Sequence, residues 1–220
     1  MKIPFTIEQF LNVFETYNAA IWPMQIIAYI LGIIAVALVF RKNSFSDSMI
    51  SIILAIFWMW TGVFYHIIHF SAINKPAIVF GILFILQGVL FLVSGVFSRK
   101  LSFSFSGKPT AVIGLVCIIY AMVLYPLLNY VFGHTYPHMP MFGVAPCPTT
   151  IFTFGLLLLS GSYVPKYILV IPFLWSLIGM SAAVNLGIIE DFGLLVAGVA
   201  GTVLIVLQNR SFKPSADKPQ

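Results

Sequence analysis

"PAIVFGILFILQGVLFLVSGVF", Pro76–Phe97, holds 22 residues with no charge and a single amide side chain, Gln87. As a helix it would be ~33 Å long, enough to cross the ~30 Å hydrocarbon core of a bilayer. Its apolar residues surround the helix instead of forming one stripe, so water could not face any side of it. This stretch therefore places the chain in a membrane. Four more stretches read the same way: Ala20–Phe40, Ser48–Phe70, Ala111–Phe132 and Ile189–Gln208. A further apolar block from Thr149 to Gly187 is cut by "GSYVPKY" (Gly161–Tyr167) into two shorter spans, 149–164 and 167–187. The composition agrees, with 60% hydrophobic and 8% charged residues. The expected fold is an all-α integral membrane protein, a seven-transmembrane-helix bundle forming one domain over residues 1–210.

Orientation follows from the basic residues. Arg41 and Lys42 follow the first span, Arg99, Lys100 and Lys108 the third, Lys166 separates the fifth and sixth, and Arg210, Lys213 and Lys218 follow the seventh. Only Lys2 and Lys75 fall on the other side, which puts the N-terminus outside and the C-terminus in the cytoplasm. The net charge of +5 thus reflects flanking anchors and gives no nucleic-acid surface. Residues 211–220, polar and proline-containing, read as a disordered cytoplasmic tail.

The first eighteen residues contain Glu8, Gln9, Asn12, Glu15 and Asn18 in place of the apolar core of a signal peptide. Ile7, Phe10, Leu11, Phe14 and Tyr17 recur at helical spacing behind a Thr6/Gln9 capping box. Residues 1–18 are predicted to form an amphipathic helix lying on the outer membrane face.

Between the fourth and fifth spans runs "HTYPHMPMFGVAPCPTT", His134–Thr150, with prolines at 137, 140, 146 and 148. These prolines fix φ and remove backbone donors, so no helix or central strand can run through the segment and it is expected to be ordered coil. The span after it, Thr149–Val164, would be only ~24 Å long as a helix. Either the span starts below the outer surface or the bilayer thins, so the segment is a proline-rich outer lid or a re-entrant loop. Thr149 or Thr150 is expected to cap the helix, with Cys147 just ahead of its N-terminus, where the dipole favours a thiolate.

Placing the rare polar residues on this topology gathers them. His66 and His69 end the second span; His134, Tyr136 and His138 follow the fourth; Cys147 precedes the fifth; Glu190 and Asp191 open the seventh; Glu15 leads into the first. On the second span Trp58, Thr61, Gly62, Tyr65, His66 and His69 share one broad helical face. Polar groups at such depth face a cavity, a partner or water, or else meet headgroups at the interface. The predicted ligand-binding residues are Glu15, Trp58, Tyr65, Tyr136, Cys147, Glu190 and Asp191. The candidate metal ligands are His66, His69, His134, His138 and Cys147, a donor set suited to zinc or copper.

No CxxC, HExxH or CxxCH motif occurs, so a c-type haem is excluded. The last span has no lysine to form a retinal Schiff base, and the last histidine, His138, is too early for the paired motif of seven-span zinc hydrolases. "FWMWTG" (57–62) and "FLWSLIG" (173–179) are a short match between the second and sixth spans, as in transporters built from parallel repeats. Gly193, Ala197 and Gly201 stand four apart, a close-packing stripe that could mediate a homo-oligomer. Cys117 and Cys147 are placed too far apart to expect a bridge between them.

Three functions stay open on the residues. The first is binding or transport of a transition metal or small solute at an extracytoplasmic His/Cys/Glu site. The second is an intramembrane hydrolase, metal-dependent or using Cys147 with a histidine base, acting on a lipid-like substrate. The third is a non-catalytic membrane scaffold. "APCPTTIFTFG" (145–155), "FETYNAAIWP" (14–23) and "HTYPHMPMFG" (134–143) together resemble a family of bacterial multi-pass membrane proteins of unknown function. That resemblance implies a location in the bacterial inner membrane and no assigned activity.

Overall fold

A computed structural model describes residues 4–212. Among them the regular structure is helical throughout. The first helix, α1 (Ile7–Ala20), opens with the expected capping box: Thr6 accepts from the Gln9 backbone, and the Gln9 side chain accepts from the Thr6 backbone. A break at Ile21–Pro23 turns the chain by 85° into α2 (Met24–Phe40). The single span expected over 20–40 is therefore shorter at its start, because Pro23 cannot supply a helical donor there.

The second long rod combines α3 (Ser46–Trp60), a π-helical stretch Thr61–His69 and a closing turn Phe70–Ala72. The third is α4 (Ala77–Phe91), running on as π-helix to Phe97. The fourth joins α5 (Pro109–Ile119), a π-turn Tyr120–Leu124 and α6 (Tyr125–Val131). The last two are α8 (Tyr167–Leu186), and a 3-10 turn Ile189–Asp191 leading into α9 (Phe192–Asn209). These five rods are long and apolar enough to cross a membrane, and the bent α1–α2 pair makes six if taken as one crossing. The chain is a multi-pass membrane protein. The fifth expected span, 149–164, falls short: α7 (Pro146–Leu158) has 13 residues, ~20 Å of helix.

α7 is the centre of the molecule, and every one of its residues is buried. It starts three residues earlier than expected because Pro146 suits the first helical position, where no N–H is needed. It ends at Leu158 because the following coil turns back across the bundle: Ser104 donates from its backbone to Leu159 and Gly161 to Ser102. Thr149 and Thr150 do not cap it. Thr150 and Thr153 instead donate to the backbone carbonyls one turn earlier, and Thr153 accepts from Trp58 Nε1 at 2.9 Å. α5 crosses α7 at glycines on both sides: a Cβ on Gly155 would stand 2.9 Å from the Gly114 carbonyl oxygen and 2.7 Å from Ile118 Cγ1.

The coil before α7 goes inward. Met139 and Pro140 are buried, as is the run Phe142–Ala145, and Phe142 packs on Phe57 and Phe152 deep in the bundle. Buried irregular backbone needs partners. Asn18 supplies two, donating to the carbonyls of Pro137 (2.7 Å) and Met139 (2.8 Å), and Tyr17 donates to Val144 at 2.7 Å. Two residues of α1 thus pin the coil, and Trp60 on α3 in turn donates to the Tyr17 hydroxyl.

Arg41, Lys42, Arg99, Lys100, Lys108, Lys166 and Arg210 all adjoin the helix ends opposite α1. The glycine stripe is used within the chain, where Gly193 meets the Tyr120 ring and a Cβ on Gly201 would lie 2.8 Å from Phe154. Both cysteines are free thiols. Residues 213–220, most of the expected tail, lie outside the described residues.

Candidate functional site

At the end of the bundle that carries α1, helices splay around a cavity of about 710 Å³, within the ~300–1,000 Å³ range of small-molecule sites. The reason is the shortness of α7. Because it begins part-way down, the space above its N-terminus is bounded only by its neighbours. α1 supplies one wall with Phe10, Leu11 and Phe14; Phe70 and Phe80 supply another; α8 a third with Trp175, Ile178 and Gly179. Lys75 stands exposed at the mouth.

The polar residues of this wall form a connected group. Asp191, buried although it precedes a helix, accepts a 2.6 Å hydrogen bond from the Tyr125 hydroxyl at Oδ1. The Cys147 thiol reaches Oδ2 at 3.5 Å. Glu190, its neighbour on the 3-10 turn, holds His134 Nδ1 at 2.9 Å, and Tyr120 donates to the Glu190 backbone carbonyl at 2.7 Å. Two acids expected as first-turn residues of a helix are therefore turned inward. Charge-assisted bonds of this kind are short and strong for their type.

Of the residues predicted from the sequence, the cavity brings together Tyr65, His134, Cys147, Glu190 and Asp191. The others go elsewhere. Trp58 is wholly buried against Phe84 in the core. His66, also wholly buried, sits among Tyr65, Phe84 and Trp175, with neither ring nitrogen hydrogen-bonded. His69 turns its Nδ1 to the Phe64 carbonyl at 2.7 Å and its ring towards Tyr17. His138 and Glu15 form an exposed pair at 3.3 Å, and Tyr136 is exposed.

The expected histidine–thiolate metal cluster is thus not assembled. Among the described residues no three His, Cys, Asp or Glu side chains converge so as to hold a metal ion. The physical cause is the π-helical turn and the inward coil, which send four histidines to four different neighbours. Cys147 also lacks the setting expected for a thiolate: its sulfur faces a carboxylate, Asp191 Oδ2, which accepts a hydrogen bond from the thiol and places negative charge beside it.

Sequence reasoning missed Trp175, Gly179, Tyr125 and Asn129. The last two lie four residues apart, so one helical face presents both; as polar groups within an apolar rod they carried a signal that a search for metal ligands passes over. Gly179 has no such signal. A Cβ there would press on Leu194 Cδ2 of α9 at 2.6 Å, while Trp175 Nε1 at 3.6 Å and Cys147 Sγ at 3.8 Å would stand at ordinary contact distance on the cavity side.

A helical bundle with membrane-crossing rods around a mostly apolar cavity defines a multi-pass membrane protein with an internal cavity of small-molecule size. More particularly, the chain belongs to the family of unknown function DUF6064, which it matches over residues 7–216. No curated protein and no solved structure matches it.

Proposed function

We propose that this protein sits in the bacterial inner membrane and binds a small, largely apolar solute in the cavity, as the binding step of transport across or out of the outer leaflet. The observation that carries this reading is the cavity itself: apolar walls around one connected polar group, the usual make-up of a small-molecule site. Basic residues at the opposite helix ends favour an arrangement with α1 and the cavity outside and the C-terminus in the cytoplasm. Counting α2 and the short α7 as passes gives seven alternating segments with that orientation. In this arrangement the coil before α7 is re-entrant, and α7 is the half-helix over which the solute rests.

The test is occupancy. In the Cys117→Ser protein, Cys147 is the remaining thiol, and its alkylation by a small uncharged maleimide in lipid nanodiscs reports access to the cavity. Long-chain alcohols are expected to slow that reaction, and Gly179→Leu to slow it without any additive. Alkylation that neither change affects would refute the cavity as the binding place.

The Cys147–Asp191 contact supports one other reading, a thiol-dependent hydrolase of a lipid-like substrate. Its base would be Asp191, since His134 is held by Glu190. Turnover of a long-chain ester that disappears in Cys147→Ser would favour it over plain binding.

A further inference from the structure

The cavity wall contains polar atoms that no group in the protein satisfies. Trp175 Nε1, Asn129 Oδ1 and Glu190 Oε2 are buried without a hydrogen-bond partner, and all three residues line the cavity. Each residue is more than nine-tenths buried. A buried polar group left unpaired costs roughly 1–3 kcal/mol, so three beside one cavity point to what should occupy it.

Their chemistry is asymmetric. An indole nitrogen can only donate, while the amide oxygen of Asn129 and the carboxylate oxygen of Glu190 can only accept. An occupant must carry an acceptor and a donor at the same end to meet both kinds of atom, and a second donor to satisfy all three. A carboxylate offers acceptors alone and would meet Glu190 and Asp191 beside the imidazole of His134, with the one lysine of the lining, Lys75, out at the mouth. An ammonium offers donors alone and leaves Trp175 unmet. A hydroxyl offers an acceptor and one donor, enough for Trp175 and one of the two oxygens, and a primary amide offers an acceptor and two donors, enough for all three.

Building on the cavity reading above, we infer that the solute is an uncharged amphiphile with an apolar body and a hydroxyl- or amide-bearing end, seated against Trp175, Asn129 and Glu190. The Phe-rich walls from α1 and from Phe70–Phe80 take the body. Gly179 borders the polar end, a Cβ there standing 3.6 Å from Trp175 Nε1 and 3.8 Å from Cys147 Sγ.

A matched series separates this inference from the cavity reading. The purified protein is titrated with dodecanol, dodecylamine, dodecanoate and dodecyl methyl ether at a pH well above ~4, where the carboxylate is ionised. Apparent dissociation constants come from ligand-dependent thermal unfolding. Dodecanol is expected to bind at least tenfold more tightly than the ether, which only accepts, and than dodecanoate. Trp175→Phe, which keeps the ring and removes the donor, should weaken dodecanol and leave dodecylamine unchanged. Equal binding of the alcohol and the ether, or a preference for dodecanoate or dodecylamine, overturns the hydroxyl inference while leaving an apolar cavity in place. If none of the four stabilises the protein, both readings fall.

Discussion

Removing the Tyr125 hydroxyl tests the polar group of the cavity most directly. In Tyr125→Phe the ring and its packing remain, while the 2.6 Å bond to Asp191 Oδ1 is lost inside a site where both residues are buried. A hydrogen bond to a charged group contributes about 1.5–3 kcal/mol. For a chain of this size 1 kcal/mol shifts the melting temperature by about 2–4 °C, so the variant should melt about 3–12 °C lower. The assay is thermal unfolding in nanodiscs, followed by intrinsic fluorescence. Asp191→Ala removes the acceptor from the other side, and the double variant should lose less than the sum of the two by about the energy of the shared bond. A Tyr125→Phe shift below about 1 °C, or strict additivity in the double variant, would refute a direct bond between these side chains.

Further expectations follow from packing and placement. Gly155→Ala puts a methyl 2.9 Å from the Gly114 carbonyl oxygen, so α5 and α7 must separate at a cost of about 1–3 kcal/mol, read as a lower melting temperature. An unchanged melt would mean that the helices do not cross there. Tyr17→Phe deletes the donor to Val144 and orphans Trp60 Nε1, which should loosen α1 and speed its proteolysis or hydrogen exchange while α9 stays protected. Equal protection of α1 in variant and parent would contradict that anchoring role. Because no three ligating side chains converge among the described residues, purified protein should carry well under one zinc or copper per chain by elemental analysis. A stoichiometric metal lost in His134→Ala would show that the side chains rearrange around it. Glu15→Gln breaks only an exposed pair with His138, so its effect on the melt should stay within about 0.5 kcal/mol.

The apolar rods, the amphipathic first helix with its capping box and the coil before Cys147 were all legible in the sequence. Each rests on local chemistry: a run of apolar side chains, a Thr–Gln spacing, or proline rings that forbid helix. The bend at Pro23 and the early end of α7 were less legible, because prolines and glycines also occur within continuous helices and only the packing decides which of them breaks. Of the candidate site, Tyr65, His134, Cys147, Glu190 and Asp191 were found from polarity and position along the chain. Trp175, Asn129 and Gly179 were not, since a tryptophan, an amide and a glycine in membrane helices have many ordinary uses.

The preference of a side chain for lipid or water belongs to that side chain, and it adds up along a segment. So the sequence by itself determined that the chain enters a membrane, where most of its rods begin, and which end carries its cations. Which polar atoms meet depends on the direction each helix face takes once its neighbours are packed, and no sum along the chain contains that direction. Hence the tertiary structure alone decided that four histidines part company, that Asp191 turns in to Tyr125 and Cys147, and that a short central helix leaves room above it for a solute.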